Sequence, residues 1–184
     1  AGQECTRGCR FCAVGTIKSP PALDPEEPAH LAQAVTSMNL RHAVITVVNR
    51  DDLPDSGADH YKQCIDAVHS QAPEVTLELL CSDLAGDHVA LEHLLNDSPL
   101  SVFAHNVECV PRLDATVRDA RASFSQSLEI LRQAKVLRPS IFMAQEPQTP
   151  SRQERRKASV GSMSFFILNS ASSTIGPVSF RSIS

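Results

Sequence analysis

Between Asp24 and Lys135 the apolar positions alternate between two spacings, one helical and one extended. Leu31, Ala34, Val35 and Met38 share one face at the 3.6-residue period and predict a helix. Asp24 is expected to cap it, with Pro25, Glu26 and Glu27 in the first turn. A proline there gives up no needed donor, and acids suit the positive end of the helix dipole. Asn39 is the expected stop. The run Ala43–Val48 is rich in β-branched residues and predicts a buried strand of a parallel sheet. A polar loop, Asn49–Gly57, follows. A second helix is expected over Ala58–Ser70, with Tyr61, Ile65 and Val68 inward. A strand is expected over Val75–Leu80 and a third helix over Asp87–Asn96, with Val89, Leu91, Leu94 and Leu95 apolar. Leu100–Ala104 predicts another strand, the polar stretch His105–Glu108 a loop, and Ser123–Lys135 a fourth helix carrying Leu128, Ile130 and Leu131.

Strands alternating with helices over short connections imply an α/β fold with parallel strands joined by crossovers. Three strands and four helices amount to about half of an eight-fold (βα) barrel. An open doubly wound sheet is the rival. Both architectures put functional loops at the carboxyl ends of the strands, here after Val48, Leu80 and Ala104. The pattern stops after Arg138. Residues 139–184 hold eleven serines and four of the seven phenylalanines, with one short apolar patch at Ser162–Leu168. Residues 1–138 are therefore expected to form the core, and 139–184 a poorly ordered tail foreign to it.

Composition narrows the function classes. With 42% hydrophobic and 21% charged residues the chain reads as globular. No apolar run reaches the roughly 18 residues of a membrane span. The net charge of −4 divides into −7 over residues 1–138 and +3 over 139–184. An acidic body argues against nucleic acid as the main partner, because phosphate binding needs a basic face. The basic run Arg152–Lys157 reads as a solvated segment. The first residue is Ala1, not Met, and no targeting peptide is visible. A chain that has lost its beginning is the expectation.

The six cysteines are Cys5, Cys9, Cys12, Cys64, Cys81 and Cys109. Three crowd into one loop and three are scattered, which suits metal ligation in a reducing compartment better than a disulfide framework. The loop reads Cys5-Thr6-Arg7-Gly8-Cys9-Arg10-Phe11-Cys12, with Gly8 expected to permit the turn. Structural zinc wants four ligands. A 4Fe–4S cluster can take three thiolates and leave one iron open to a small molecule. Arg7 and Arg10 are expected to offset the negative charge of the thiolates and sulfides. A zinc loop completed by His30 or by another chain is the alternative.

The spacing CxxxCx-aromatic-C resembles the signature of the radical S-adenosylmethionine superfamily. Glu4–Val14 further resembles the cluster loop of lipoyl synthases, as does Pro21–Pro28. Asn49–Ala58 is similar to that family's second signature and Val102–Glu108 to its third, extended by Val117-Arg118-Asp119 and Ser127-Leu128. The resemblance covers about residues 2–138. It implies a partial (βα) barrel in which Cys5, Cys9 and Cys12 hold the 4Fe–4S cluster that cleaves S-adenosylmethionine to a 5′-deoxyadenosyl radical. The radical would abstract hydrogens at C6 and C8 of an octanoyl chain on a carrier-protein lysine, and sulfur from an auxiliary 4Fe–4S cluster would be inserted. An octanoylated lipoyl-carrier protein and an electron donor such as ferredoxin or flavodoxin are the implied partners. The implied compartment is a mitochondrion, a plastid or the bacterial cytoplasm. Phe11 is expected near the adenine, Thr46 and Asn49 at the methionine end, and Asn106 and Glu108 at the ribose or amino group. Arg50, Asp51 and Asp52 are expected to order the loop over the site.

The chain also departs from the family. The family's second cysteine trio has no counterpart here and is expected upstream of Ala1; Cys64, Cys81 and Cys109 are too dispersed to replace it and read as inert core or loop thiols. Asn49 stands where the family's second signature has Asp. Pro139–Ser184 does not match, so the chain is expected to be incomplete at both ends. His30, His42, His60 and His69 read as surface positions, and His105 as a structural histidine beside the site.

Overall fold

A computed structural model describes residues 1–144. Arg152–Lys157, Ser162–Leu168 and most of the expected tail lie outside the described residues.

Among the described residues six short strands and five α-helices follow one another: β1 Glu4–Cys5, β2 Gly15–Thr16, α1 Glu27–Ser37, β3 His42–Thr46, α2 Ala58–Gln71, β4 Thr76–Leu80, α3 His88–Leu95, β5 Val102–Ala104, α4 Asp114–Val117, α5 Phe124–Leu137 and β6 Phe142–Ala144. Strands β3, β4, β5 and β6 form one parallel sheet in that order. Strand order rises without a reversal. A doubly wound sheet reverses at a switch point, so this sheet is an open segment of the barrel kind.

In the register, Ala43 lies beside Leu77, Ile45 beside Leu79, and Leu79 beside Phe103. These side chains point toward α1, α2, α3 and α5, which lie side by side along one face. Phe103, Leu77, Leu79, Ile65, Leu91 and Leu94 are fully buried there. Such burial contributes roughly 1.5–3 kcal/mol per large side chain. The opposite face carries Val44, Glu78, Leu80 and Ala104, and Glu78 pairs with His42 at 3.1 Å.

The predicted elements are present, with shifts that have local causes. Asp24 does not cap α1 directly. Its carboxylate accepts the Glu26 amide in a turn, and the helix begins at Glu27 with Pro28, not Pro25, in the first turn. Glu27 is drawn inward rather than left to the dipole: His60 Nε2 lies 2.7 Å from its Oε2, and the Ala1 ammonium 2.6 Å. His60, expected at the surface, is accordingly buried. Asn39 sits at φ 49°, the left-handed conformation that ends a helix. Asp87 caps α3 and Ser123 caps α5 through side-chain acceptors.

The sheet continues past the expected core end at Arg138. Arg138 donates to the carbonyls of Ser98 and Leu100, Ile141 is buried, and β6 pairs with β5. Polar anchors on main-chain carbonyls hold this strand, and they leave no periodic apolar pattern in the sequence.

Candidate iron–sulfur and cosubstrate site

The cysteine loop lies across the carboxyl ends of the strands. β1 and β2 close it with a two-rung parallel pair, and Ile17 N–H donates to Cys5 O at 3.0 Å. Thr6 N–H donates to Asn49 O at 3.0 Å, which ties the loop to the segment after β3. Gly8 is not a conformational necessity: a Cβ there would only touch Thr16 at 3.7 Å. Its amide instead donates to Asp119 Oδ2 at 2.9 Å.

Arg7 does not offset the thiolates as expected. Its guanidinium is buried, paired in bidentate fashion with Asp51 and at 2.6 Å with Asp83. Burial alone would lower its pKa; the two carboxylates outweigh it and keep Arg7 charged. Asp51 also accepts from the Thr6 hydroxyl, and Asp83 from the Gln126 amide. One cation thus locks the loop to the segments after β3 and β4. Arg50 binds Asp52 through two 2.8 Å bonds and donates to the carbonyls of Ala1 and Pro21, which ties the segment after β3 to the stretches on either side of the cysteine loop.

A cavity of about 170 Å³ opens here, lined by Cys5, Cys9 and Cys12 with Phe11, Asn49, Asn106 and Glu108. Four of the five residues expected at the cosubstrate therefore meet the three thiols in one space. Thr46 is not on its lining; β3 ends there, and Val47, Val48 and Asn49 reach the cavity instead. Glu108 is at φ 70°, and the Cys109 amide returns to Val107 O at 2.8 Å, forming a strained γ-turn. Strain of this kind gathers at functional sites.

Sequence reasoning placed Arg118 in a family motif and gave it no role. Its side chain lines the same cavity. It donates to Ser127 Oγ at 3.0 Å and Val107 O at 3.3 Å, while its buried Nε has no partner; neither does the buried Asn106 Oδ1. Buried polar atoms left unpaired are costly and mark where a ligand completes the set. The missed signal was a lone arginine beside a chain turn, which sequence spacing does not distinguish from a surface residue.

Cys5 is buried, Cys9 half-buried and Cys12 exposed. Burial pushes the Cys9 thiol up, opposed by the Asp119 N–H at 3.4 Å from its sulfur and by the Arg118 charge. Among the described residues no three His, Cys, Asp or Glu side chains are placed to hold one metal ion. Cys5, Cys9 and Cys12 all reach the lining of one cavity, the donor set of three thiols that an iron–sulfur cluster with one open iron would take. Cys64 and Cys81 do not form a second trio. Both are buried in the helix-side core, which pushes Cys64 up to about 12 and raises Cys81 further. Cys109 donates to Asp114 Oδ1 at 3.3 Å. His105 is the expected structural histidine, held by Cys81 O at 2.9 Å and Ser127 Oγ at 3.0 Å.

The profile of the Radical SAM superfamily matches residues 2–144. The chain belongs to that superfamily. Radical SAM proteins use S-adenosylmethionine and a 4Fe–4S cluster. Over 141 residues, 77% of this chain, it is 51% identical to the lipoyl synthase of Halorhodospira halophila, 47% to the chloroplastic lipoyl synthase of Arabidopsis thaliana and 46% to the mitochondrial one of Caenorhabditis elegans. It spans 42%, 36% and 40% of their lengths. The likeness to lipoyl synthases read from the motifs is thus borne out. Among solved structures, methylornithine synthase aligns with TM-score 0.60 at 12% identity, covering 78% of this chain and 41% of that one. An FeFe-hydrogenase maturase from Carboxydothermus hydrogenoformans aligns with TM-score 0.57 at 16% identity, over 74% and 32%. These two support the radical SAM fold. No helix among the described residues is long and apolar enough to cross a membrane.

Proposed function

We propose that the chain is the cluster-binding part of a lipoyl synthase, which inserts sulfur at C6 and C8 of octanoyl groups on a carrier protein. The observation that carries this reading is the convergence of Cys5, Cys9 and Cys12 with Asn49, Asn106, Glu108 and Arg118 on one cavity. The three cysteines would hold a 4Fe–4S cluster, which when bound supplies the electron that splits S-adenosylmethionine. The chain's own residues position and shield. Phe11 and Val14 give the cavity an apolar wall beside Cys12, suited to a base. Asn106 Oδ1 has acceptor capacity for a hydroxyl or an ammonium, and Arg118 Nε a donor for a carboxylate. Asn49 and Glu108 supply further polar contacts on the same wall. Arg7, paired with the buried Asp83 and the half-buried Asp51, holds this wall in place without setting free charge in the cavity.

The auxiliary cluster of the implied chemistry finds no ligand set in this sequence, so the sulfur-insertion step requires parts of the protein beyond these residues. The carrier protein and a reductant such as ferredoxin or flavodoxin are the proposed partners.

Anaerobic loading of the 184-residue chain with iron and sulfide is the test. The expected outcome is uptake of both, and slow release of 5′-deoxyadenosine from S-adenosylmethionine on addition of dithionite. Alanine at Cys5, Cys9 and Cys12 should abolish uptake. Undiminished iron in that variant, or one tightly held zinc in place of iron and sulfide, overturns the reading.

A further inference from the structure

Residues 117–121, which lead from the end of α4 toward α5, grip the cysteine loop at four points. Arg10 N–H donates to Val117 O at 2.8 Å, and Gly8 N–H to Asp119 Oδ2 at 2.9 Å. Asp119 N–H donates to Cys9 Sγ at 3.4 Å, and Arg121 Nη2 to Thr6 O at 2.6 Å. Asp119 is the centre of this arrangement. Its carboxylate also takes Arg121 Nε at 2.8 Å and Arg121 Nη2 at 3.1 Å, which aims the guanidinium at Thr6. Arg121 then reaches Asp51 at 3.4 Å. The loop is thereby held on both sides of Arg7.

We infer that 117–121 is a clasp, with Asp119 as a positioning residue, that fixes the Cys9 arm of the loop and supplies its sulfur with an amide hydrogen bond from outside the loop. Hydrogen bonds to a ligating sulfur stabilise the extra negative charge of the reduced state, and so raise the reduction potential. Arg118 lies between Val117 and Asp119, with its side chain on the cavity. The same clasp therefore fixes the distance between the thiol of Cys9 and the unpaired Nε of Arg118. What this says of an iron–sulfur group rests on the proposed function; the grip on the metal-free loop does not.

Asp119 has a partly open side chain and Arg121 an exposed one, so substitution there spares the core. The test compares Asp119→Asn with Asp119→Ala in the full chain. Both remove one negative charge; asparagine keeps one of the two acceptor oxygens that Gly8 and Arg121 use, and alanine keeps neither. In the metal-free, reduced protein, alkylation by iodoacetamide is followed at each cysteine by peptide mass spectrometry. Alanine should speed reaction at Cys9 several-fold, asparagine should speed it by clearly less, and Cys12 should not change. After iron and sulfide loading, a redox titration followed by electron paramagnetic resonance should place the alanine variant at a more negative potential than the asparagine variant, with altered g-values. Identical behaviour of the two variants in both measurements overturns the clasp. A wild-type chain that takes up no iron overturns the proposed function and the potential half of this inference, while the alkylation comparison still decides whether the clasp holds.

Discussion

Glu27 illustrates how far one residue's role depends on what the fold brings to it. Its place in a helical first turn reads as a dipole partner, yet 33 residues later the chain supplies His60. Burial works against ionisation of Glu27, but the hydrogen bond with His60 at 2.7 Å leads the effects that outweigh it and hold the carboxyl below the usual carboxylate range. A carboxyl depressed in the folded state stabilises fully above its unfolded pKa, and that stabilisation fades as pH falls from about 4.5 toward the depressed value. Glu27→Gln should therefore flatten the acid limb of a stability-against-pH curve from urea unfolding and lower stability at neutral pH. An acid limb unchanged in that variant would remove Glu27 from the account. Cys5, Cys9 and Cys12 were legible because spacing alone crowds three thiols together. Arg7 was legible as a cation but not as a buried one, because Asp51 and Asp83 stand 44 and 76 residues away. Arg118 was not legible as a cavity residue, since its unpaired Nε exists only in three dimensions.

At the scale of elements, type and order were readable and ends were not. Helices α2, α3 and α5 carry apolar stripes that periodicity finds, and their caps Asp87 and Ser123 stand where capping residues are expected. The start of α2 rests on something else. Gly57 precedes it at φ 89°, and a Cβ there would lie 2.9 Å from the Tyr61 ring and hydroxyl. The Tyr61 hydroxyl lies 2.9 Å from Val48 O and 3.1 Å from Ser56 O and shares its one proton between these carbonyls, which fastens both ends of the polar loop that carries Asn49 to Asp52. Gly57→Ala combines a left-handed backbone, worth about 1–2 kcal/mol, with displacement of that shared hydrogen bond, worth about 1 kcal/mol. The expected result is a loss of at least about 2 kcal/mol in denaturant unfolding. A midpoint equal to wild type would show that the loop accommodates the methyl group.

For the whole molecule, the alternation of strand and helix left two architectures open, and the rising strand order resolved them. No local pattern encodes strand order; it follows from which neighbours bury Leu77, Leu79 and Phe103 together. The last strand was missed because Phe142–Ala144 is three residues long and half exposed, with Phe142 itself 73% exposed. Among the described residues β6 has β5 as its one strand neighbour and carries the exposed Phe142 at the edge of the sheet. Phe142→Lys should reduce light scattering of the concentrated chain without lowering its helical circular dichroism. Equal scattering by both proteins would place the sticky surface elsewhere.

The long reach of the loop's anchors also sets an order of events. β1 and β2 meet across a short span, but the ties to Asp51, Asp83 and Asp119 cross 44, 76 and 111 residues of chain. Contacts so distant in sequence form late, once the intervening polypeptide has already folded. The cysteine loop thus takes its native arrangement from segments that lie far along the chain, and on the proposed function a cluster would meet a loop already shaped by the fold.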